Sequence, residues 1–183
     1  IVGINHGTLF SCQFTGVVTG DSEVGGIVGR NESEGTIDHS TARAIVTGKS
    51  STGGIAGYNL GAITGCTNVG SINTEYPEAS LDTDGFTAKM VDYINNKMAA
   101  AADDATNSVT NVATDTGGIA GRSSGMILTS VNTGTIGYEH VGYNVGGIVG
   151  RTDGLVSGCV NQGRVLGRKD VGGIAGQAEP YRE

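Results

Sequence analysis

The pentapeptide GGIAG stands at residues 53–57, 117–121 and 172–176, and its sibling GGIVG at 25–29 and 146–150. The copies start at 25, 53, 117, 146 and 172, so the spacings are 28, 64, 29 and 26, and the chain opens on IVG 26 residues ahead of the IVG of the first full copy. A fixed period of this size is the mark of stacked structural repeats, and it takes precedence over reading each segment alone. One spacing is long by about 36 residues, which predicts an insertion inside an otherwise regular array.

Two further segments recur at matching offsets. GTLFSC (7–12), GTIDHS (35–40), GAITGC (61–66), GMILTS (125–130) and GLVSGC (154–159) form one set, and GVVTG, AIVTG, GSIN, GTIG and GRVLG the next. Each set contributes an apolar column. The first is Ile27, Ile55, Ile119, Ile148 and Ile174; the second Leu9, Ile37, Ile63, Ile127 and Val156; the third Val18, Val46, Ile72, Ile136 and Val165. These side chains are β-branched almost throughout, which suits a pleated surface. Runs this short gain stability only when the same run from successive coils pairs into a parallel sheet over a shared core. The expectation is an all-β, three-sided parallel β-solenoid (a β-helix) of about six coils, filling residues 1–183 as a single domain. The usual crossover preference favours a right-handed sense. The glycines bracket each run, where the chain turns with positive φ or lets a neighbouring backbone pass close.

Cys12, Cys66 and Cys159 share one column with Ser40 and Ser130. Cys12 and Cys66 then lie two coils apart, about 9–10 Å, beyond the ~7 Å Cα reach of a disulfide, so three free, buried thiols are expected. Asn5, Asn31 and Asn59 form a column continued by Ser123 and Thr152, and Asn68, Asn132 and Asn161 form another. Stacked amides of this kind bond their own kind in the next coil and satisfy turn groups. The insertion spans 75–115. Within it Phe86, Met90, Ile94 and Met98 recur every four residues, the stripe of an amphipathic helix over about 84–102, suited to docking on the solenoid flank or on a partner.

Composition narrows the function. Glycine is 33 of 183 residues, far above the usual ~7%, with only 2 prolines and no collagen period. A net charge of −7 speaks against nucleic acid, whose binding draws on Lys and Arg, and nothing approaches a membrane-spanning apolar run. The three histidines, His6, His39 and His140, build no HExxH, and no GxSxG elbow or Walker loop is present. The carboxylates do not stack into the paired arrangement that sugar cleavage needs. No catalytic residue, metal ligand or cofactor site is therefore assigned. One aromatic concentration, GYEHVGYNV, places Tyr138, Glu139, His140 and Tyr143 in a corner loop, the pattern of a sugar-stacking or protein-anchoring contact.

The segments GGIVGRNESEGTI, GGIAGYNLGAI, GGIAGRSSGMI and GGIVGRTDGLV resemble the GLUG motif, with Ile at its Leu position. The likeness covers nearly all of the chain outside 75–115. Such repeats resemble those of large bacterial cell-surface proteins, including the non-catalytic regions of IgA-specific metallopeptidases. The resemblance implies an extracellular, cell-surface or wall-attached stalk, adhesion or spacer role beside neighbouring domains of the same chain, with a host glycan or a host protein such as immunoglobulin as partner. A substrate-holding exosite of a secreted peptidase is the alternative, and a polysaccharide-cleaving β-helix stands behind both.

Overall fold

A computed structural model describes residues 1–75 and 113–180. The first coil runs through β1 (Val2–Asn5), β2 (Thr8–Phe10), β3 (Gln13–Thr19) and β4 (Ser22–Gly25), the second through β5 (Val28–Asn31), β6 (Thr36–Asp38), β7 (Thr41–Thr47) and β8 (Ser50–Gly53). The third holds β9 (Ala56–Asn59), β10 (Ala62–Thr64), β11 (Thr67–Asn68), β12 (Ser71–Ile72) and β13 (Thr114–Gly117). The fourth holds β14 (Ala120–Ser123), β15 (Met126–Leu128), β16 (Val131–Asn132) and β17 (Tyr143–Gly146), and the fifth β18 (Val149–Thr152), β19 (Leu155–Ser157), β20 (Val160–Asn161) and β21 (Lys169–Gly172). A single strand of a sixth coil, β22 (Ala175–Ala178), follows. The described residues thus form an all-β parallel β-solenoid of five complete turns and one further strand. The expected helix over 84–102, with Phe86, Met90, Ile94 and Met98, lies outside the described residues.

Every strand pairs in parallel with its counterpart one coil away. The second column stands in register as Leu9, Ile37, Ile63, Ile127 and Val156, and the third as Val18, Val46, Ile72, Ile136 and Val165. The wall divides into four sheets, not three. Sheet I stacks β1, β5, β9, β14, β18 and β22; sheet II starts from β2, sheet III from β3 and sheet IV from β4. Sheet IV is the one that the repeated segments do not announce. Its strands read SEVG, SSTG, TDTG, YNVG and KDVG, and each ends on the first glycine of the pentapeptide. The pentapeptide is therefore a joint: its first residue closes a strand of sheet IV, Gly-Ile forms the corner, and its last two residues open a strand of sheet I.

Positive φ is not what these glycines supply. None of them has it; the left-handed positions beside the joint are Glu23, Ser51, Asp115, Asn144 and Asp170, one per coil, with φ of 51–54°. Asp, Asn and Ser tolerate that region better than bulkier residues, because a short polar side chain bonds locally. Close approach is the actual demand. A Cβ on Gly53 would sit 2.7 Å from the Ala120 Cα, and one on Gly117 would sit 2.8 Å from the Val149 Cα. Sheets I and IV are pinched together here, and the pinch separates two cores. Ile27, Ile37, Ile55, Ile63, Ile119, Ile127 and Ile148 fill the larger with Val28, Ala56 and Val149, and Val24, Val46, Ile72, Ile136 and Val145 fill the smaller.

Four members of the first isoleucine column are fully buried, but Ile174 is 40% exposed. It stands just ahead of β22 in the partial sixth coil, stacked on Ile148, and among the described residues no further coil lies over it. The thiols follow the same rule. All three are free as expected, yet only Cys66 is buried; Cys12 in the first coil and Cys159 in the fifth are half-buried.

Candidate functional site

The inner face is occupied by packing and by two amide ladders. Asn5 Nδ2 donates to Asn31 Oδ1 and Asn31 Nδ2 to Asn59 Oδ1, each over 2.8 Å, and Asn59 Nδ2 donates to Ser123 Oγ over 3.1 Å. In the second ladder Asn68 Nδ2 donates to Asn132 Oδ1 over 2.7 Å and Asn132 Nδ2 to Asn161 Oδ1 over 2.8 Å. Each of these asparagines also folds back on a following glycine, two residues on except at Asn31, whose Nδ2 donates to Gly35 O over 3.1 Å; Gly70 N in turn donates to Asn68 Oδ1 over 3.1 Å. Such groups are consumed within the structure and free for no ligand.

Function therefore has to be sought on the outer face. There sheet I carries the aligned column Ile4, Arg30, Tyr58, Arg122, Arg151 and Gln177. The guanidinium carbons of Arg30 and Arg122 lie 5.0 and 5.2 Å from the centre of the Tyr58 ring. Arg30 also donates to Glu32 over 2.7 Å and to Glu23 over 2.9 Å, bonds that hold its guanidinium in the charged form, and Arg151 donates to Glu179 over 2.7 Å with the same effect. The column laces adjacent coils together by cation–π and ionic contacts, each of modest worth on a surface.

The link between β16 and β17 holds the aromatic loop. Val141 N donates to Tyr138 O over 3.2 Å, closing a tight turn whose third residue, His140, has φ 60°. Gly137 and Gly142 flank it at φ 80° and 94°. The turn thrusts Tyr138, Glu139 and His140 outward; Tyr138 is 43% exposed, and His140 Nε2 lies 3.8 Å from Glu139 Oε1, an ion pair only when the imidazole is protonated. Tyr143 does not join them. It opens β17, in register with Thr114 and Lys169, half-buried with the Arg168 guanidinium 6.0 Å from its ring centre.

Beside the turn lies an open groove of about 520 Å3, lined by Thr74, Thr135, Gly137, Tyr138, Glu139, His140, Arg164 and Leu166. Three of the four loop residues singled out in the sequence thus meet one groove or its rim. Thr74, Thr135, Arg164 and Leu166 were missed. They come from the same corner of three successive coils, tied by Gly137 N to Ile72 O, Ile136 N to Arg164 O and Leu166 N to Ile136 O, all 2.8 Å. The alignment of GSIN, GTIG and GRVLG already held the signal, since it stacks Arg164 on Thr135. Among the described residues no three of His, Cys, Asp and Glu converge to hold a metal, and no helix is long and apolar enough to cross a membrane.

These features define a class, the structural repeat modules built as parallel β-solenoids. Residues 20–47 match the GLUG motif, and the stretch runs from the end of β3 through β4, β5 and β6 to the end of β7, one full circuit of the wall. Neither the curated proteins nor the solved structures gave a match to the chain.

Proposed function

We propose that this chain is a non-catalytic spacer and adhesion module of a bacterial cell-surface or secreted protein, working outside the cell beside other domains of the same polypeptide. The observation that carries this reading is the outward turn Tyr138–Val141 on an otherwise regular stack. A solenoid held by a ladder of backbone hydrogen bonds between every pair of coils resists bending, and a projecting tyrosine flanked by Glu139 and His140 is the kind of contact that such a rod presents to a partner. Four carboxylates are engaged within the structure, which supports a binding role over a chemical one. Glu23 and Glu32 are spent on Arg30, Glu179 on Arg151, and Asp115 on Asn144 Nδ2 at 2.7 Å.

The test is a screen of the purified chain against a glycan array and against immunoglobulin, with a Tyr138→Ala/Tyr143→Ala variant in parallel. Specific capture that the variant loses is the expected result, and capture of immunoglobulin would select an exosite role within a secreted peptidase. Silence on both panels removes adhesion and leaves the spacer; reproducible shortening of a polysaccharide would overturn the non-catalytic reading.

A further inference from the structure

The groove beside the 138–141 turn has a more definite chemistry than adhesion in general, and the inference drawn from it rests on the adhesion reading. Its volume of about 520 Å3 lies inside the ~300–1,000 Å3 range of small-ligand sites. Tyr138 offers a partly exposed ring, Thr74 and Thr135 offer hydroxyls, and Glu139 offers an acceptor. Arg164 adds a cation. Along this outward column of sheet III the residues are Val17, Ile45 and Ser71, then Thr135, and arginine enters only in the fifth coil. Where Arg30 and Arg151 each hold a carboxylate within 3 Å, Arg164 forms no ion pair among the described residues, in a chain with a net charge of −7.

We infer that the groove takes an acidic sugar residue, a hexuronate or sialic-acid type, with its carboxylate on Arg164. A guanidinium presents two parallel N–H donors that match a carboxylate fork, which a neutral sugar cannot use. The apolar face of the pyranose packs on the Tyr138 ring, and its hydroxyls exchange hydrogen bonds with Thr74, Thr135 and Glu139. An acidic peptide fits less well. Extended peptides are gripped by unpaired backbone groups or apolar pockets, and here the Gly137 and Leu166 N–H groups are already given to Ile72 O and Ile136 O.

The experiment is calorimetric titration of the purified chain with trigalacturonate, with its methyl ester and with tetraglutamate, repeated on Arg164→Gln and on Arg168→Gln. The acid is expected to bind at least roughly tenfold more tightly than the ester. Arg164→Gln should erase that preference while its melting curve stays that of the parent, because the side chain is exposed; Arg168→Gln should keep the preference, and added salt should weaken it. Equal binding of acid and ester, an undiminished preference in Arg164→Gln, tetraglutamate binding as well as the sugar, or no saturable binding of the acid would each overturn the inference. Failure of the adhesion reading looks different. Trigalacturonate would then bind while no array glycan and no immunoglobulin is captured, whereas capture of neutral glycans alone would leave adhesion standing without the acidic-sugar site.

Discussion

At the scale of single residues, the cysteine column shows why serine and cysteine alternate there. Ser40, Cys66 and Ser130 each accept a hydrogen bond from the backbone of the neighbour one coil before: Cys12 N donates to Ser40 Oγ over 3.1 Å, Ser40 N to Cys66 Sγ over 3.5 Å, and Cys66 N to Ser130 Oγ over 3.2 Å. Each also donates to the carbonyl two residues back, as Ser130 Oγ does to Leu128 O over 2.9 Å and Cys66 Sγ to Thr64 O over 3.4 Å. The position needs a small side chain that both donates and accepts, which thiol and hydroxyl supply alike. Burial pushes the Cys66 thiol from its ordinary 9.0 up to about 11. The unfolded chain therefore loses this proton first as pH rises, so the folded state forfeits stability across about pH 9 to 11 and keeps it in full below. The wild-type protein should lose on the order of 2 kcal/mol more than Cys66→Ser over that window in denaturant titrations. An identical alkaline loss in both would show that Cys66 is not the group responsible. Iodoacetamide on the folded protein should reach the half-buried Cys12 and Cys159 well before Cys66.

At the scale of the element, the pentapeptide and the second asparagine ladder are two halves of one fit. A Cβ on Gly54 would run into the Gly118 carbonyl and the Asn68 amide, and Gly118 and Gly147 face Asn132 and Asn161 in the same way. The amides fit between the two cores only because the facing corner has no side chain. In the first two coils, where the asparagine position is held by Phe14 and Ala42, sheet III runs as unbroken seven-residue strands; from the third coil onward the Asn-x-Gly turn breaks it into short pieces. Gly54→Ala should therefore cost about 3 kcal/mol or more. Gly173→Ala is the matched control, because the equivalent site in the last coil has nothing within 4 Å, and its cost should stay within about 0.5 kcal/mol. Equal melting temperatures for the two variants would refute close approach as the reason for the glycine.

At the scale of the whole molecule, the array tolerates an interruption because the third coil closes across it. Asn73, at the end of one segment, donates through Nδ2 to Thr116 Oγ1 over 2.9 Å and accepts from Gly48 N over 2.8 Å. Thr114 N, at the start of the other, donates to Lys49 O over 2.8 Å. Both ends are thus registered on the two-residue Gly48–Lys49 link of the coil before. Replacing residues 74–113 by that Gly-Lys pair should leave a cooperatively melting protein with a β-type far-ultraviolet signature. A non-cooperative or collapsed variant would show that the insertion is part of the core and not an excursion from it.

The repeat period and the three apolar columns were legible in the sequence because backbone pairing between coils forces the same residue type to recur at the same offset. Ile37 over Ile63 is visible in a string of letters. So were the asparagine and cysteine columns, and so was the turn at Tyr138, where an aromatic pair breaks the pattern. Tertiary structure alone decided what does not recur as a residue type. The fourth sheet was hidden because its outward, left-handed position is filled in turn by Glu23, Ser51, Asp115, Asn144 and Asp170, which share a backbone conformation and not a side chain. The exposure of Ile174 and the half-burial of Cys159 depend on whether another coil lies above them, which no residue encodes about itself. Tyr143 parted from Tyr138 because a strand start and a turn point in different directions, and Arg164 joined the groove because stacking brings residues 26 to 29 apart into contact across coils, a distance that short-range motif reading does not span.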